Sequence, residues 1–489
     1  MPDVSTKGPE LEKRSELDAR KQAFYEHFGK MASGLDRYRK RYRYFWDDIV
    51  RYCNYFIHED DRVLEVGCAT GDTLARLRGK EKTGIDFSPS MIRIARDRHP
   101  GIRFEVQDAE HIDLERHYDV VILSHVTGYF DDVLQVFLSL RRVCHPRTRL
   151  IINYYNFLWE PLLLFGEKIG IKKKSPRQNW LSRHQLETFL YLAGFESYRV
   201  ARRMLLPARI PGLSFLFNRI LGRLPLIDNL CINQYVFARP APEQRHNAGA
   251  EYSVSVVIPA RNEAGNVAQA LRRMPRFGKS LEIIFVEGHS TDDTWERISA
   301  LPQQFPESNV RVCRQDGSGK GDAVRKGFSL ASGDVLMILD ADLTVAPEDL
   351  PLFYYAIAGG KGEFINGTRL VYPMEKNAMR LLNFLANKFF SLLFSWLLEQ
   401  PVTDTLCGTK VLFRTDYQRL IANRSFFGDF DPFGDFDLLF GAYKLNLKII
   451  DLPVAYRERS YGSTNISRFT HGLLLLRMAA YAARKIKFV

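Results

Sequence analysis

Short apolar segments alternate with helical segments in two separate runs along this chain of 489 residues. In the first run, the segments that predict strands span 62–66, 82–86, 103–107, 118–123 and 150–154. Helical stretches such as 90–98 and 131–143 lie between them. This alternation is typical of a parallel, doubly wound sheet, because each crossover helix packs back on the sheet. The first run therefore predicts an α/β fold.

A polar stretch separates the two runs: residues 239–250 read RPAPEQRHNAGA, which is typical of a linker. A second alternation begins at Ser253 with the strand-like sequence SVSVVI. The chain is too long for one ordinary hydrophobic core. We therefore predict two domains, at 1–240 and 253–489, joined by a linker at 241–252.

The composition is that of a globular protein, with 46% hydrophobic and 26% charged residues. The formal charge of +12 indicates either anionic partners or a solubilising surface excess. The six cysteines form no C-x-x-C pair, and the N-terminal sequence is polar rather than signal-like. We therefore expect a cytoplasmic protein.

Three segments, 159–170, 205–230 and 380–398, mix runs of Leu and Phe with Arg or Lys. None is a clean span of about 20 apolar residues. Each fits either an interfacial helix or an ordinary packing helix. We expect, at most, peripheral contact with the cytoplasmic face of a membrane.

The first predicted strand runs into a glycine-containing turn, since residues 63–72 read VLEVGCATGD. Gly67 and Gly71 allow a tight turn beside a ligand, where a side chain would collide. Asp86 ends the next strand, where an acid can accept hydrogen bonds from a ribose diol. Asp108 follows the third strand, where it could meet an adenine edge.

These motifs resemble class I S-adenosylmethionine-dependent methyltransferases, over residues 42–156. The resemblance implies that Glu65, Gly67 and Gly71 surround the methionine part of the cofactor. It further implies that Asp86 binds the ribose and Asp108 the adenine. The family often has glycine where this chain has Ala69. A dinucleotide enzyme, and a fold that has lost its cofactor, stay open as alternatives.

The methyl acceptor cannot be identified from the sequence. Residues that follow the fourth and fifth strands could line its side of the site, because ligands bind at the carboxyl ends of such strands. These candidates are His125, Tyr129, Tyr154, Tyr155, Asn156 and Trp180. A packing role is open for each of them.

The second run contains a pair of acids directly after a buried strand, since residues 333–348 read GDVLMILDADLTVAPE. Asp340 and Asp342 can hold Mg²⁺ or Mn²⁺, which prefer hard oxygen ligands. Such an ion would bridge a diphosphate and stabilise the charge on a leaving nucleoside diphosphate. The sequence therefore predicts a metal site here.

Three further segments could face a nucleotide. Residues 256–263 read VVIPARNE, residues 281–294 read LEIIFVEGHSTDDT, and residues 317–323 read GSGKGDA. The first two are strands that enter turns, and the third offers flexible backbone and a lysine near a pyrophosphate. Their order along the chain argues against coincidence.

Together these motifs resemble family 2 glycosyltransferases of the GT-A type, over residues 253–470, and especially the branch of dolichol-phosphate mannose synthase. The resemblance implies a nucleotide-sugar pocket formed by Pro259, Arg261, Glu263, Glu287, Lys320, Asp322 and Asp340, with the metal on Asp340 and Asp342. Glu287 stands where the family usually has Asp, and Thr344 where a Gln often occurs. The identity of the base is therefore open.

The acceptor side is implied by later motifs of the same branch. Arg369, Arg459 and Arg468 are implied to contact acceptor or phosphate groups. If the acceptor is a hydroxyl, a carboxylate must take its proton, and Asp435 or Asp437 is the candidate. If the acceptor is a lipid phosphate, no base is needed. Both acids also suit a helix N-terminus, which favours negative charge.

The sequence therefore predicts two doubly wound α/β domains, a Rossmann-like methyltransferase sheet followed by a GT-A sheet. The expected function is inverting, metal-dependent sugar transfer to a glycan, lipid or polyprenyl-phosphate acceptor, together with methyl transfer. The alternative is a glycosyltransferase whose N-terminal domain is a catalytically silent docking or cofactor-binding module. No nucleic-acid partner is expected, because the basic residues are scattered and no recognition motif occurs.

Overall fold

The computed structural model describes residues 22, 24, 26–30, 34–169, 178–242, 251–369, 381–422, 435–454 and 468–487. The chain divides into two compact units, Met1–Ala241 and Pro242–Val489. Among the described helices, none is both long and apolar enough to cross a bilayer.

The first unit is built on a seven-stranded sheet in the order β3-β2-β1-β4-β5-β7-β6. Its strands are β1 (Arg62–Val66), β2 (Glu81–Asp86), β3 (Arg103–Val106), β4 (Tyr118–Ser124), β5 (Cys144–Tyr155), β6 (Phe195–Arg203) and β7 (Asn233–Pro240). The first five strands are parallel, as the alternation predicts, but β7 runs antiparallel to both β5 and β6. The sheet is therefore mixed rather than wholly parallel.

The helices of the first unit are α1 (Leu35–Arg41), α2 (Arg43–Phe56), α3 (Asp72–Arg76), α4 (Pro89–Arg98), α5 (Val133–Leu140), α6 (Glu160–Lys168), α7 (Arg183–Leu192) and the short α8 (Leu213–Phe215). Capping explains several starts. Ser88 caps α4 with Pro89 in its first turn, Asp132 caps α5, and Ser182 forms a capping box at α7.

Both faces of this sheet are covered. Leu64 and Val66 belong to a core shared with α5 and α7, whereas Val63 belongs to a second core shared with α2, α3 and α4. Successive strand residues face opposite sides of a sheet. Continuous apolar strands such as β1 are therefore the expected sequence of a sheet buried on both faces.

A buried ion pair joins α2 to the end of β6. Arg203 donates to both carboxylate oxygens of Asp48, at 3.0 and 2.8 Å, and Arg51 donates to the same carboxylate at 2.7 Å. Burial opposes ionisation of Asp48, but the Arg203 guanidinium holds the pKa of Asp48 well below its usual range. The pair is therefore ionised in the folded chain.

The second unit also has a seven-stranded sheet, in the order β10-β9-β8-β11-β13-β12-β14. Its strands are β8 (Val254–Ala260), β9 (Leu281–Glu287), β10 (Asn309–Arg314), β11 (Val335–Ile338), β12 (Phe364–Thr368), β13 (Lys410–Phe413) and β14 (Ile449–Pro453). Here β13 is antiparallel to β11 and β12. Strands β8 to β11 are parallel, so their carboxyl ends meet at one edge.

The helices of the second unit are α9 (Val267–Arg272), α10 (Thr294–Gln304), α11 (Lys320–Leu330), α12 (Leu350–Ala358), α13 (Leu381–Leu398), α14 (Arg414–Ala422), α15 (Asp435–Lys444) and α16 (Arg468–Ile486). One face of the sheet packs on α9, α10 and α12. On the other face α11 lies so close to β8 that a Cβ on Gly327 would come within 2.3 Å of Val257. Helix α13 packs against α16.

We predict that Arg203→Met destabilises the first unit by about 3 kcal/mol, because it leaves the Asp48 carboxylate buried without its main partner. The matched control is Arg202→Met, which removes a partly exposed pair with Asp228 at 3.3 Å and should cost under about 1 kcal/mol. Chemical denaturation of the two variants measures the difference. Equal losses for the two would show that the buried pair contributes no more than the exposed one.

Candidate functional sites

The turn after β1 has a left-handed backbone at three positions. Gly67 has φ of 73°, Gly71 has φ of 76° and Ala69 has φ of 46°. A Cβ on Gly67 would lie 2.4 Å from Val126, and one on Gly71 would lie 2.5 Å from Phe104. Both glycines are therefore required by conformation and by space. Alanine can adopt the same conformation at position 69, at some cost in strain.

Asp86 ties this turn to the end of β2. Its carboxylate accepts from the backbone N–H groups of Ala69 and Ser88, each at 2.9 Å. Burial raises the pKa of Asp86 to about 6, and the two backbone donors oppose that rise. These two bonds hold the turn, and the predicted ribose contact stays a prediction.

Glu65 lies under the same turn and is almost fully buried. Its Oε2 has no hydrogen-bond partner within the described part of the chain. Burial raises the pKa of Glu65 to about 8, and the nearby Arg39 opposes this rise. Arg39 reaches from α1 to within 3.4 Å of Asp72 and 3.3 Å of Thr73. A cationic ligand would therefore meet a carboxyl group that is neutral before binding.

Asp108 follows β3 and begins a short helical turn, where its carboxylate accepts from the N–H of Glu110 at 3.0 Å. Its neighbour Gln107 donates its backbone N–H to the carbonyl of Asp86 at 3.1 Å. Asp108, the predicted adenine contact, thus lies at the same carboxyl edge of the sheet as Asp86, the predicted ribose contact.

The acceptor-side candidates divide into two groups. His125 and Tyr155 have ring centroids 4.2 Å apart, and Phe45 and Trp46 of α2 lie 5.4 and 5.9 Å from His125. Burial lowers the pKa of His125 to about 3, although the nearby side chain of Asn233 opposes this shift. His125 is therefore neutral at physiological pH, within an aromatic wall at the ends of β4 and β5.

The other acceptor-side candidates make structural contacts. Tyr154 donates to Gln234 at 3.0 Å, and Asn156 donates to the carbonyls of Asn229 and Cys231 at 2.8 and 3.0 Å. The hydroxyl of Tyr129 accepts from Gln178. The Trp180 ring lies 6.5 Å from that of Tyr155.

In the second unit, the predicted nucleoside residues follow β8. Glu263 is buried and accepts from the side chain of Asn266 at 2.7 Å, while its own N–H donates to Thr294 at 2.9 Å. Arg261 is exposed and Pro259 is partly buried. The acid thus stabilises the turn, and the arginine faces solvent.

Glu287 ends β9 with its carboxylate buried. It accepts from the N–H of Ser290 at 2.5 Å and lies 3.5 Å from the guanidinium of Arg314. That guanidinium lies 4.3 Å from the centre of the Trp295 ring. His289 then bonds through Nε2 to the carbonyl of Gly317 at 3.1 Å, so the loops after β9 and β10 meet.

Asp340 meets Lys320 at the carboxyl edge of the sheet. The Lys320 ammonium lies 2.6 Å from Oδ1 of Asp340. Burial opposes ionisation of Asp340, but Lys320, with Lys410 and Arg369, holds the pKa of Asp340 below its usual range. The acid is therefore a carboxylate, as a metal ligand must be.

Gly408 lies directly against this pair. A Cβ at this position would come within 2.0 Å of Oδ2 of Asp340 and 2.3 Å of the Lys320 nitrogen. The turn that carries Gly408 therefore closes over Asp340, and an added side chain there would displace the ends of the Asp340 and Lys320 side chains.

The second acid, Asp342, accepts from the hydroxyl and the N–H of Thr344, at 2.8 and 3.1 Å. Asp322, two residues after Lys320, accepts from the N–H of Gly317 at 2.7 Å. The loop after β10 is therefore held by a predicted nucleotide-binding acid.

Arg369 forms a bidentate pair with Asp404, at 2.7 and 2.9 Å. Asp404 is fully buried and also accepts from the N–H groups of Leu406 and Cys407, in the turn before Gly408. Arg369 therefore holds the Gly408 turn, and its contact with a phosphate stays a prediction.

Asp437 lies in the first turns of α15, 3.9 Å from Arg325 of α11. Both residues line a mostly apolar cavity of about 210 Å³, together with Tyr417 and Leu420 of α14. Arg459 lies outside the described residues. The backbones of Asp435 and Arg468 begin α15 and α16, but their side chains also lie outside the described part.

Sequence reasoning did not assign Arg39 and Arg325 to a site. Arg39 belongs to a run of basic and aromatic residues at 37–44, whose sequence does not indicate which ligand or side chain it faces. Arg325 follows Lys320 by about 1.4 helical turns, so the same helix carries both cations. The structure places Arg39 beside Asp72 and Arg325 beside Asp437, and the sequence does not indicate either contact.

Two families match this chain. Residues 38–200 match the family described as Methyltransferase domain, and residues 255–424 match the family described as Glycosyl transferase family 2.

Two curated relatives match the second unit. A Dolichol-phosphate mannosyltransferase of Pyrococcus furiosus is 38% identical over 120 residues, which are 24% of this chain and 33% of the relative. An Undecaprenyl-phosphate 4-deoxy-4-formamido-L-arabinose transferase of Salmonella paratyphi B is 33% identical over 232 residues, which are 44% of this chain and 62% of the relative. The chain thus spans a third of the first relative and under two thirds of the second.

Among solved structures, a glucosyl-3-phosphoglycerate synthase of Mycobacterium tuberculosis in complex with Mn²⁺ and uridine diphosphate is 19% identical. The match covers 48% of this chain and 80% of that chain, with a TM-score of 0.36. An S-adenosylmethionine-dependent methyltransferase of Thermotoga maritima is also 19% identical, over 44% of this chain and 98% of that chain, with a TM-score of 0.35.

We predict that Gly408→Ala weakens binding of nucleoside diphosphate with Mn²⁺ by roughly tenfold or more, because the added methyl group displaces Asp340 or Lys320. Isothermal titration measures the affinity. Thermal unfolding without ligands serves as the control, and it should change little because Gly408 has no left-handed backbone. An unchanged affinity in a folded variant would contradict the tight approach of this turn to the acids.

Proposed function

We propose that this chain, which carries a methyltransferase domain followed by a family 2 glycosyltransferase domain, is a bifunctional transferase. Its second domain would transfer a sugar from a nucleotide-sugar to a polyprenyl-phosphate or related lipid phosphate. Its first domain would methylate an acceptor with S-adenosylmethionine. The observation that carries the proposal is the cluster of Asp340, Lys320 and Gly408 at the carboxyl edge of the second sheet.

The sugar transfer that we propose is a single in-line displacement. An acceptor oxygen attacks the anomeric carbon while the bond from that carbon to the diphosphate breaks, and the nucleoside diphosphate leaves with the bonding electrons. The anomeric centre is inverted. Asp340 and Asp342 would hold a divalent ion, which supplies positive charge to the leaving diphosphate. Carboxylate oxygens at the end of a strand fit Mg²⁺ or Mn²⁺.

The chain's own residues would position the donor. Lys320 opens α11 beside Asp340, so its ammonium and the helix N-terminus both favour a diphosphate at this place. Arg369 would act through Asp404, by fixing the turn that brings Gly408 over the acids. Preorganised charge of this kind lowers the barrier because it needs no rearrangement during reaction.

A lipid phosphate is the acceptor that the relatives' names favour, since both are named for a polyprenyl phosphate. Such an acceptor is already ionised and needs cations rather than a base. Arg459 and Arg468 stay our candidates for that contact. If the acceptor were a hydroxyl, Asp435 or Asp437 would take its proton; Asp437 faces Arg325 at 3.9 Å.

For the first domain, we propose that Glu65, Gly67, Gly71, Asp86 and Asp108 hold S-adenosylmethionine. Support comes from the left-handed turn that Gly67 and Gly71 form after β1 and from the unpartnered, buried Oε2 of Glu65. The cofactor supplies an activated methyl group on a sulfonium. The chain would contribute an aromatic wall at His125 and Tyr155, which orients the acceptor.

One observation favours a second candidate, in which the first domain binds no cofactor. Both carboxylate oxygens of Asp86 accept from backbone N–H groups, so Asp86 has a structural role in the turn that requires no ribose. The domain would then be a silent docking module, and the chain a glycosyltransferase alone.

We predict that UDP-, GDP- or another sugar nucleotide with Mn²⁺ or Mg²⁺ stabilises the chain by about 2.7 kcal/mol at a hundredfold excess over Kd. Asp342→Ala should abolish the part of this effect that requires metal. The matched control is Asp334→Asn, because Asp334 is exposed and lies at the opposite end of β11. Thermal unfolding gives the readout. A response of Asp342→Ala equal to that of the parent would show that the metal site is wrong.

We predict that S-adenosylmethionine binding near pH 7 releases about one proton, because a cationic ligand beside Glu65 lowers the pKa of a group that is mainly protonated before binding. Titration in buffers of different ionisation enthalpy measures the release. The variant Glu65→Gln should bind S-adenosylmethionine without releasing this proton.

The outcomes of this titration separate the two candidates. Equal proton release by the parent and Glu65→Gln would remove Glu65 from the site. No binding of S-adenosylmethionine to the parent would favour the silent module.

A further inference from the structure

Two apolar segments of the first unit leave the sheet at one edge. The first, residues 157–169, follows the end of β5 at Tyr155, and the second, residues 204–232, joins the end of β6 to the start of β7. In the sheet register Tyr155 pairs with Asn233, and Asn233 pairs with Arg203. Both segments therefore lie at the edge where β4 ends beside His125.

Hydrogen bonds join the bases of the two segments. The indole N–H of Trp159 donates to the carbonyl of Leu230 at 2.9 Å. The side chain of Asn156 donates to the carbonyls of Asn229 and Cys231, and its backbone N–H donates to Ile232 at 2.8 Å. The segments are therefore one surface element, although 70 residues of chain separate Trp159 from Leu230.

This element exposes large apolar side chains in an unusual density, and we call it the edge patch. Seven of its residues are more than half exposed: Leu158, Leu162, Phe165, Ile169, Phe215, Leu226 and Leu230. Leu226 is 82% exposed. Single exposed apolar residues are normal on a protein, but a contiguous group of them marks a surface that another molecule covers.

The charges around the edge patch favour an anionic lipid surface as that molecule. Lys168 and Arg209 are exposed within the same two segments, and Arg219 is half-buried there, as is the acid Glu160. Asp228 lies 3.3 Å from Arg202, so its charge is offset. Aliphatic and phenyl groups with peripheral Arg and Lys suit a bilayer interface, where each cation near an anionic surface adds to the attraction.

We propose that the edge patch seats the first unit on an anionic bilayer, so that its methyl acceptor is a molecule held in the lipid. The lipid-held acceptor depends on the proposed methyl transfer, whereas binding of the edge patch to a bilayer does not. The acceptor would reach His125 and Tyr155 from the lipid, because these residues end the strands at the same sheet edge. A water-soluble acceptor would need no apolar surface at this place.

The test is co-sedimentation of the full chain with vesicles of phosphatidylglycerol and phosphatidylcholine. We expect Leu162→Glu combined with Leu226→Glu to weaken binding roughly tenfold or more, since two apolar contacts become charges that repel the surface. The matched control is Leu192→Glu: Leu192 is 58% exposed, as is Leu162, but it lies at the opposite sheet edge, near the start of β6. It should bind like the parent.

The apolar helix α13 of the second unit could also bind vesicles, since Leu392 is 74% exposed. The comparison is therefore repeated in a Leu392→Glu background, where the edge-patch variant should show the same loss. A second variant, Lys168→Ala with Arg209→Ala, should weaken binding to anionic vesicles and leave binding to pure phosphatidylcholine unchanged. This variant leaves the apolar side chains of the patch in place.

Three results would overturn the proposal: no vesicle binding by the parent, equal loss in the edge-patch variant and Leu192→Glu, or loss of a dimer by the edge-patch variant with vesicle binding intact. The last would mean that a second copy covers the patch. Titration with S-adenosylmethionine is run on the same samples. Its failure in the parent would refute methyl transfer without touching the vesicle result.

Discussion

The close contact of Lys320 with Asp340 is the interaction on which the proposed nucleotide-sugar site depends. It places a cation and a carboxylate together at the end of a buried strand, 2.6 Å apart. The turn of Gly408 closes over both, and the buried pair of Asp404 with Arg369 holds that turn. Substitutions at Arg369, Asp404 or Gly408 would therefore disturb the ion pair of Lys320 with Asp340, although these positions are far from it in sequence. Charges held in fixed positions in this way are the condition for strong electrostatic stabilisation.

The two units apply one architectural rule with different chemistry. In each, parallel strands deliver their following loops to a single edge, where the direction of strand order changes. The first unit uses left-handed glycines and a buried, uncharged Glu65, which suits a cationic cofactor. The second uses ionised acids beside lysine, which suits a metal and a diphosphate. Burial raises the pKa of Glu65 because no strong partner offsets it, whereas Lys320 reverses the same effect at Asp340.

Much of the fold could be predicted because strand and loop signals are local. The strand β1 and the acid couple after β11 fall where hydrophobic runs and motif spacing indicate. The antiparallel strands β7 and β13 could not be predicted, since pairing direction depends on distant partners. The same holds for the bidentate contact of Arg369 with Asp404, and for the joining of Trp159 to Leu230. Each brings together residues far apart in sequence, and no periodic pattern records that proximity.

The central claim is that Asp340 and Asp342 bind a divalent ion together with a nucleoside diphosphate. Electron paramagnetic resonance of Mn²⁺ tests it most directly, because bound and free ions differ in signal. The account predicts one tightly bound Mn²⁺ per chain in the presence of the nucleoside diphosphate that the chain accepts, weak binding without it, and loss of both in Asp340→Asn. Mn²⁺ binding that is indifferent to every nucleotide, or unchanged in Asp340→Asn, would contradict the account.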